Sequence, residues 1–260
     1  LGAAYAKLLA GRRAKVMVHD AGVDPAGTGS DRTAADGIAF DIIKVGGTAA
    51  ATYELLGSRE SGHALVERTI DMFGRIDILI HNAGLVVFEA IETIDEAHYQ
   101  RMLDVHVNAP FWLAQAAMPH MRAQGYGRIV LTTPGRALNL DGAVPQLSTY
   151  NIGKMAQIGL MNALAAEGRD DGIRANVISP VAATRMLQRS VEPGTFTPEQ
   201  AAPGVAYLAS RDCDLNGVIL HAGNGRFSLM NVQATEPHSF SGSGLTPEAA
   251  GAWLKTATAP

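Results

Sequence analysis

The chain has 260 residues, 47% of them hydrophobic and 18% charged, with a formal net charge of −4 and one cysteine, Cys213. This length and balance predict a single α/β domain over 1–260 with a large core, and the mildly acidic charge gives no reason to expect nucleic acid or an anionic membrane as partner. A lone cysteine excludes an intrachain disulfide and a thiolate metal cluster, and points to a reducing compartment, the cytoplasm.

Apolar residues at helical spacing fill 2–11. The basic residues there follow the apolar run instead of preceding it, so this opening is not a signal peptide. "KVMVH" (15–19) reads as a buried strand, 33–45 as a helix, "TAAATY" (48–53) as a strand and 61–74 as an amphipathic helix. "IDILIH" (76–81) is the next strand, 95–124 one long helix, "RIVLT" (128–132) a strand and 148–168 a helix. "IRANVIS" (173–179) is a strand, 198–210 a helix, and "GVILHA" (217–222) the last strand. A Ser/Gly-rich linker, "HSFSGSG" (238–244), leads to a short helix over 246–257, with Thr246 as N-cap and Pro247 at the first helical position. No uninterrupted apolar run of about 18 residues spans a bilayer.

Near-continuous apolar strands alternating with helices predict a parallel sheet covered on both faces. The fold class is therefore a Rossmann-type doubly wound sheet in three α/β/α layers. The chain opens on a helix, whereas the first strand of such a sheet lies at its centre. The expectation is an upstream strand and glycine-rich turn that this sequence lacks.

Tyr150 and Lys154 lie one helical turn apart, hence on one helix face. A phenol titrating near 10 is a poor acid–base catalyst at neutrality, and a neighbouring ammonium lowers its pKa. Together with "LG" (1–2), "VMVHD" (16–20), "HNAG" (81–84), "YNIGK" (150–154) and "SPVAAT" (179–184), this pair resembles the short-chain dehydrogenase/reductase family. The resemblance covers nearly the whole chain. Within the family it is most similar to the (3R)-hydroxyacyl-CoA dehydrogenase domains of peroxisomal multifunctional β-oxidation enzymes, through "FGRID", "VHV", "AAEGRDDGI" and "LTPEAAGAW".

The resemblance implies an enzyme that interconverts a secondary alcohol and a ketone with NAD, the alcohol being a 3-hydroxyacyl thioester or, alternatively, a steroid, sugar alcohol or small ketone partner. Gly2 would close the phosphate-binding turn, where a helix N-terminus attracts pyrophosphate. Asp20, ending the second strand, would accept both adenosine-ribose hydroxyls and repel a 2′-phosphate, which favours NAD over NADP. Glu54 is better read as a solvated loop glutamate. Asn82, Ala83 and Gly84 would form the turn that stiffens the sheet and lets backbone approach the cofactor. In the segment of Pro180, Val181 and Thr184, backbone groups would clasp the nicotinamide carboxamide and the threonine hydroxyl would help hold the cofactor. Lys154 would also bond the nicotinamide ribose. His106 stands where the family usually has an asparagine whose backbone carbonyl holds a relay water, with Asn108 off that register.

One position breaks the pattern. The family's catalytic serine falls on Pro134, which has no hydroxyl. Thr133 is adjacent but faces the other side of the strand, Thr132 lies further back, and Ser148 precedes the helix that carries Tyr150. Thr133 is the first candidate donor, brought inward by the Pro134-Gly135 turn. The rival expectation is a nucleotide-binding protein with little catalysis. "LQRSVEPGTFTPEQ" (187–200) has the Pro/Gly content of a lid. The surplus apolar residues of "PFWLAQAAM" and "GLMNALAA" predict a homodimer or homotetramer. No histidine pattern predicts a metal site.

Overall fold

The computed structural model describes residues 1–24, 28–138, 143–184, 191–242 and 245–257. They form two compact units, Leu1–Met230 and Asn231–Pro260. The second unit carries helix α8 (Pro247–Ala257), and in it the His238 ring stacks on Trp253 at 5.6 Å between centres.

In the first unit, β1 (Lys15–His19) pairs in parallel with β2 (Thr48–Thr52). A second sheet runs β3 (Ile78–Ile80), β4 (Gly127–Thr132), β5 (Ile173–Val181), β6 (Ile219–Gly223) and β7 (Arg226–Met230). Its first four strands are parallel and β7 is antiparallel. Among the described residues β1 and β3 do not pair. This is a Rossmann-like arrangement, with helices α1 (Gly2–Gly11), α2 (Thr33–Lys44), α3 (Arg59–Phe73), α4 (Glu96–Leu103), α5 (Ala109–Gln124), α6 (Ser148–Glu167) and α7 (Pro198–Leu208) linking the strands.

The centre of the sheet is apolar on both faces because helices cover both. β4 is buried along its whole length. Ile129 and Leu131 point into a cluster with Leu113 and Met121 of α5 and Met161 of α6. Val130, between them, points the other way, towards Tyr5 of α1 and Val205 and Leu208 of α7. Period-two alternation along one strand thus serves two hydrophobic layers.

Two sequence expectations need correction. Residues 95–124 are not one helix. Asp95 caps α4 by accepting a hydrogen bond from His98 N, and a π-helical segment, Asp104–Asn108, separates α4 from α5. There Ala109 N–H reaches back five residues to Asp104 O. Pro110 follows and has no N–H to give the carbonyl four residues earlier, so the α ladder cannot run through His106. Nor is 217–222 the last strand. Asn224 (φ 49°) and Gly225 (φ 72°) make a two-residue left-handed turn between β6 and β7. Asn-Gly is the strongest short-range hairpin signal, and β7 escapes notice only because its Phe227 and Leu229 are exposed.

The base of the sheet is tied by Arg128, which is buried with no carboxylate partner among the described residues. Its guanidinium donates to four carbonyls: Gly127 O, Gly172 O, Ser210 O and Cys213 O, at 2.9–3.1 Å. Replacing it with methionine keeps the apolar stem and removes the donors those carbonyls share. Arg128→Met is expected to lower unfolding free energy by about 3 kcal/mol, measured as a shifted urea midpoint at unchanged slope.

Candidate active site

Helix α6 presents a buried stripe, Tyr150, Gly153, Lys154 and Gln157, at i, i+3, i+4 and i+7. The stripe meets the π segment and the turn after β3 at very close range. A methyl group on Gly153 would lie 2.4 Å from His106 Cβ, and one on Gly84 would lie 2.9 Å from His106 Cε1 and 3.4 Å from Lys154 Nζ. Only glycine at both positions lets these three pieces of backbone close up. Lys154 Nζ lies 5.9 Å from the centre of the Tyr150 ring. The Tyr150 and His106 rings meet edge to face at 5.5 Å.

Burial dominates the electrostatics of this cluster. Lys154 is pushed down to about 7 by desolvation, with no carboxylate opposing it. His81, at the end of β3, is pushed down to about 3, first by burial and then by the charge of Lys154. His106 is held well below its ordinary value by the same two causes. Gln157 locks the stripe to its surroundings: its carbonyl accepts from Thr132 N at 3.0 Å and its amide donates to His106 O at 3.1 Å. Sequence reading passed over His81 and Gln157. The signal for Gln157 was its place on the stripe three residues beyond Lys154. His81 was visible only as a strand-ending histidine.

The other expected residues distribute as follows. Gly2 packs against Asn82, whose Nδ2 would lie 3.1 Å from a methyl group there, and Asn82 Oδ1 is buried with no partner among the described residues. Ala83 is exposed between Asn82 and Gly84. Asp20 stands at the carboxyl end of β1, exposed, with one carboxylate oxygen accepting from Gly22 N at 2.9 Å. Pro180 and Val181 end β5 opposite Ala222 and Gly223 of β6, and Thr184 is half-buried just beyond. Glu54 pairs with Arg68 at 2.9 Å, and Asn108 donates to Asp104 at 2.8 Å, so neither joins the cluster.

Thr133 is fully buried, and its single hydroxyl hydrogen goes to Lys154 O at 3.0 Å. In this arrangement it ties β4 to α6 instead of pointing a donor at a substrate. Thr132 likewise gives its hydrogen to His81 O at 2.8 Å. Ser148 Oγ has no partner among the described residues; it lines an open groove of about 420 Å³ together with Ile91, Glu92, Val144, Gln146 and Asn151. Of the 187–200 stretch, 187–190 lie outside the described residues. The remainder is tied to the end of β5 through Ala183 N–H and Phe196 O, then enters α7 through a Thr197–Gln200 capping box. No helix among the described residues is long and apolar enough to cross a membrane.

Residues 1–194 match the family model described as short chain dehydrogenase. The chain belongs to the short-chain dehydrogenase family. It is 38% identical, over 86% of its own length, to the peroxisomal multifunctional enzyme type 2 of Drosophila melanogaster, and spans 37% of that protein. A crystal structure of a short chain dehydrogenase from Mycobacterium avium superposes with a TM-score of 0.83 at 28% identity, covering 97% of this chain and 89% of that one. A metagenomic short-chain oxidoreductase in complex with NADP gives a TM-score of 0.69 at 25% identity over 84% and 91% of the two chains.

Short-chain dehydrogenases are oxidoreductases that use a nicotinamide dinucleotide and small-molecule substrates, and the residues present fit such a cofactor. Asn82 Oδ1, beside Gly2 at the start of α1, is a buried acceptor with no partner among the described residues, and the buried amine of Lys154 faces Gly84 with no anion beside it among the described residues.

The buried bases set a pH dependence of stability. Unfolded Lys154 holds its proton to about pH 10, whereas the folded one loses it above about 7. Across that window the unfolded state binds more protons, so stability rises with pH, by up to about 1.4 kcal/mol per unit from this residue. His81 works the same way lower down: it stays neutral when folded and charges when unfolded below about 6.5, so stability falls as pH drops towards 3. In urea titrations of the cofactor-free protein, wild type is expected to gain stability between pH 7 and 9.5, and Lys154→Met is expected to lose that slope while keeping the acid loss.

Proposed function

We propose that this short-chain dehydrogenase interconverts a secondary alcohol and a ketone with NAD, its substrate a 3-hydroxyacyl thioester. One observation carries the reading: a tyrosine and a buried lysine one turn apart on α6, the amine 5.9 Å from the phenol ring and facing the glycine turn after β3. Tyr150 acts as general acid/base. Lys154 stabilises its phenolate and bonds the nicotinamide ribose. The cofactor, when bound, supplies or accepts the hydride. Gly2, Asn82, Ala83, Gly84, Pro180, Val181 and Thr184 hold it, and Asp20 accepts the adenosine-ribose hydroxyls, its charge disfavouring a 2′-phosphate. Resemblance to the peroxisomal multifunctional enzymes supports the thioester, and the groove beside Ser148 offers room for one end of a substrate.

Oligomer formation belongs to the same reading. Most of the surplus apolar residues of α5 and α6 pack inside the chain, for example Leu113, Met118 and Met161. Phe111, Ile152 and Met155 remain exposed. They support a homodimer or homotetramer, which light scattering checks. The buried free thiol of Cys213 supports a reducing compartment such as the cytoplasm.

A second reading, nucleotide binding with little catalysis, is favoured by Pro134 and by the Thr133 hydrogen bond to Lys154 O. A donor role for Thr133 requires that bond to be exchanged, and loss of one oxyanion donor costs about 10²–10³ in rate. The discriminating measurement is NADH formation from NAD⁺ with (R)-3-hydroxybutyryl-CoA and a panel of secondary alcohols. Wild type is expected to turn over, preferring NAD⁺ to NADP⁺ by about tenfold or more. Tyr150→Phe is expected to lose about 10²-fold or more in kcat with NADH binding intact. If NADH binds and no alcohol reacts in either protein, the second reading holds.

A further inference from the structure

Ser148 and Asn151 stand one turn apart at the start of α6, and both line the open groove of about 420 Å³. Ser148 Oγ and Asn151 Oδ1 are each buried with no partner among the described residues. The volume is in the range of small-molecule sites. The groove runs between the loop after β3 and the approach to α6, two stretches joined where Glu89 N donates to Gln146 O at 2.9 Å. Val144 and Leu147 line it and also belong to the apolar cluster that holds Tyr150. One wall of the groove is thus shared with the bed of the phenol.

The chemistry of the groove sorts the parts of an acyl-CoA molecule. Its nucleotide end carries phosphates, whereas the charged lining residue is Glu92, an anion, with no basic side chain among the described lining residues. An alkyl tail would suit Ile91 and Val144 but would shut Ser148 Oγ and Asn151 Oδ1 away from water without partners. The pantetheine arm is neutral, and each of its secondary amides sets a donor beside an acceptor between apolar methylene links. Its first amide follows the sulfur by a two-carbon link, close to the reacting end. We propose that this groove binds the pantetheine arm of the substrate, the first amide giving its N–H to Asn151 Oδ1 and accepting from the Ser148 hydroxyl. This rests on the thioester reading of the substrate and names the part of it that the groove recognises. Specificity for the carrier thereby arises away from the reacting atoms.

Exchange of a single substrate group tests this. The N-acetylcysteamine and 2-acetoxyethyl thioesters of (R)-3-hydroxybutyrate differ only in an amide N–H against an ester oxygen. With NAD⁺, wild type is expected to prefer the amide by about tenfold or more in kcat/KM. Asn151→Leu, which keeps the side-chain bulk and removes the acceptor, is expected to bring the two substrates within about twofold of each other. A structural role for Asn151 would lower both rates and leave the ratio intact, which would overturn the proposal, as would equal use of both substrates by wild type. Inhibition needs no variant: pantetheine is expected to compete with (R)-3-hydroxybutyryl-CoA. No inhibition at concentrations where the N-acetylcysteamine thioester saturates would equally overturn the assignment. The two levels separate cleanly. If hydroxybutyryl-CoA is oxidised while amide and ester react alike, the groove assignment alone fails; if plain secondary alcohols react and no thioester does, the thioester reading fails and takes the groove with it.

Discussion

An amine buried without a carboxylate is the constraint around which this site is built. Lys154 cannot lower its cost by an ion pair, because no acidic group among the described residues reaches it, so burial pulls its pKa to about 7. Gly84 and Gly153 bring the β3 turn, the π segment and α6 within van der Waals contact, and a methyl group on either would strike His106. The two glycines thus act indirectly, by letting the lysine and the imidazole close up on the turn after β3.

The geometry follows from one proline. Pro110 withholds the N–H that would have closed on His106 O, and the chain adopts a π turn at the spot where the α ladder breaks. Gln157 from the next helix takes up the released carbonyl and also holds Thr132 N. One amide side chain therefore couples the π segment, β4 and α6, and its burial makes the coupling stiff, since neither of its hydrogen bonds can be exchanged for water at low cost. The rigidity of the α6 stripe comes from this cross-link as much as from the apolar contacts beneath it.

Much of this was legible beforehand, because most of the site is carried by regular elements. Strands such as Gly127–Thr132 announce themselves by continuous apolar runs, and Tyr150 and Lys154 by their one-turn spacing. What escaped depended on contacts between elements distant in sequence. Helical periodicity carries on smoothly from 95 to 124 and gives no hint of the change from α to π, although Pro110 marks it. The turn "HNAG" was read for its backbone, so the imidazole of His81, buried beside Lys154, had no role. β7 was lost for the opposite reason. Its Asn224-Gly225 turn is explicit, but its half-exposed residues do not look like a core strand.

The proline at position 134 shifts where the burden of the chemistry falls. Both threonines that precede it use their single hydroxyl hydrogen inside the fold, Thr132 on His81 O and Thr133 on Lys154 O. Each bond ties the end of β4 to a neighbour that carries a buried base. The strand end therefore contributes register and stiffness, and the polar groups that remain near the phenol come from α6 and the π segment. Under the proposed acid–base reading, charge developing on a substrate oxygen would then be met mainly by the Tyr150 hydroxyl, with a lysine poised near neutrality beside it. A lysine so poised can give and take a proton within the physiological range, whereas one titrating near 10 would hold it. Under the same reading, the burial that costs the folded chain stability as pH falls from about 10 towards 7 is also what would let this amine carry a proton.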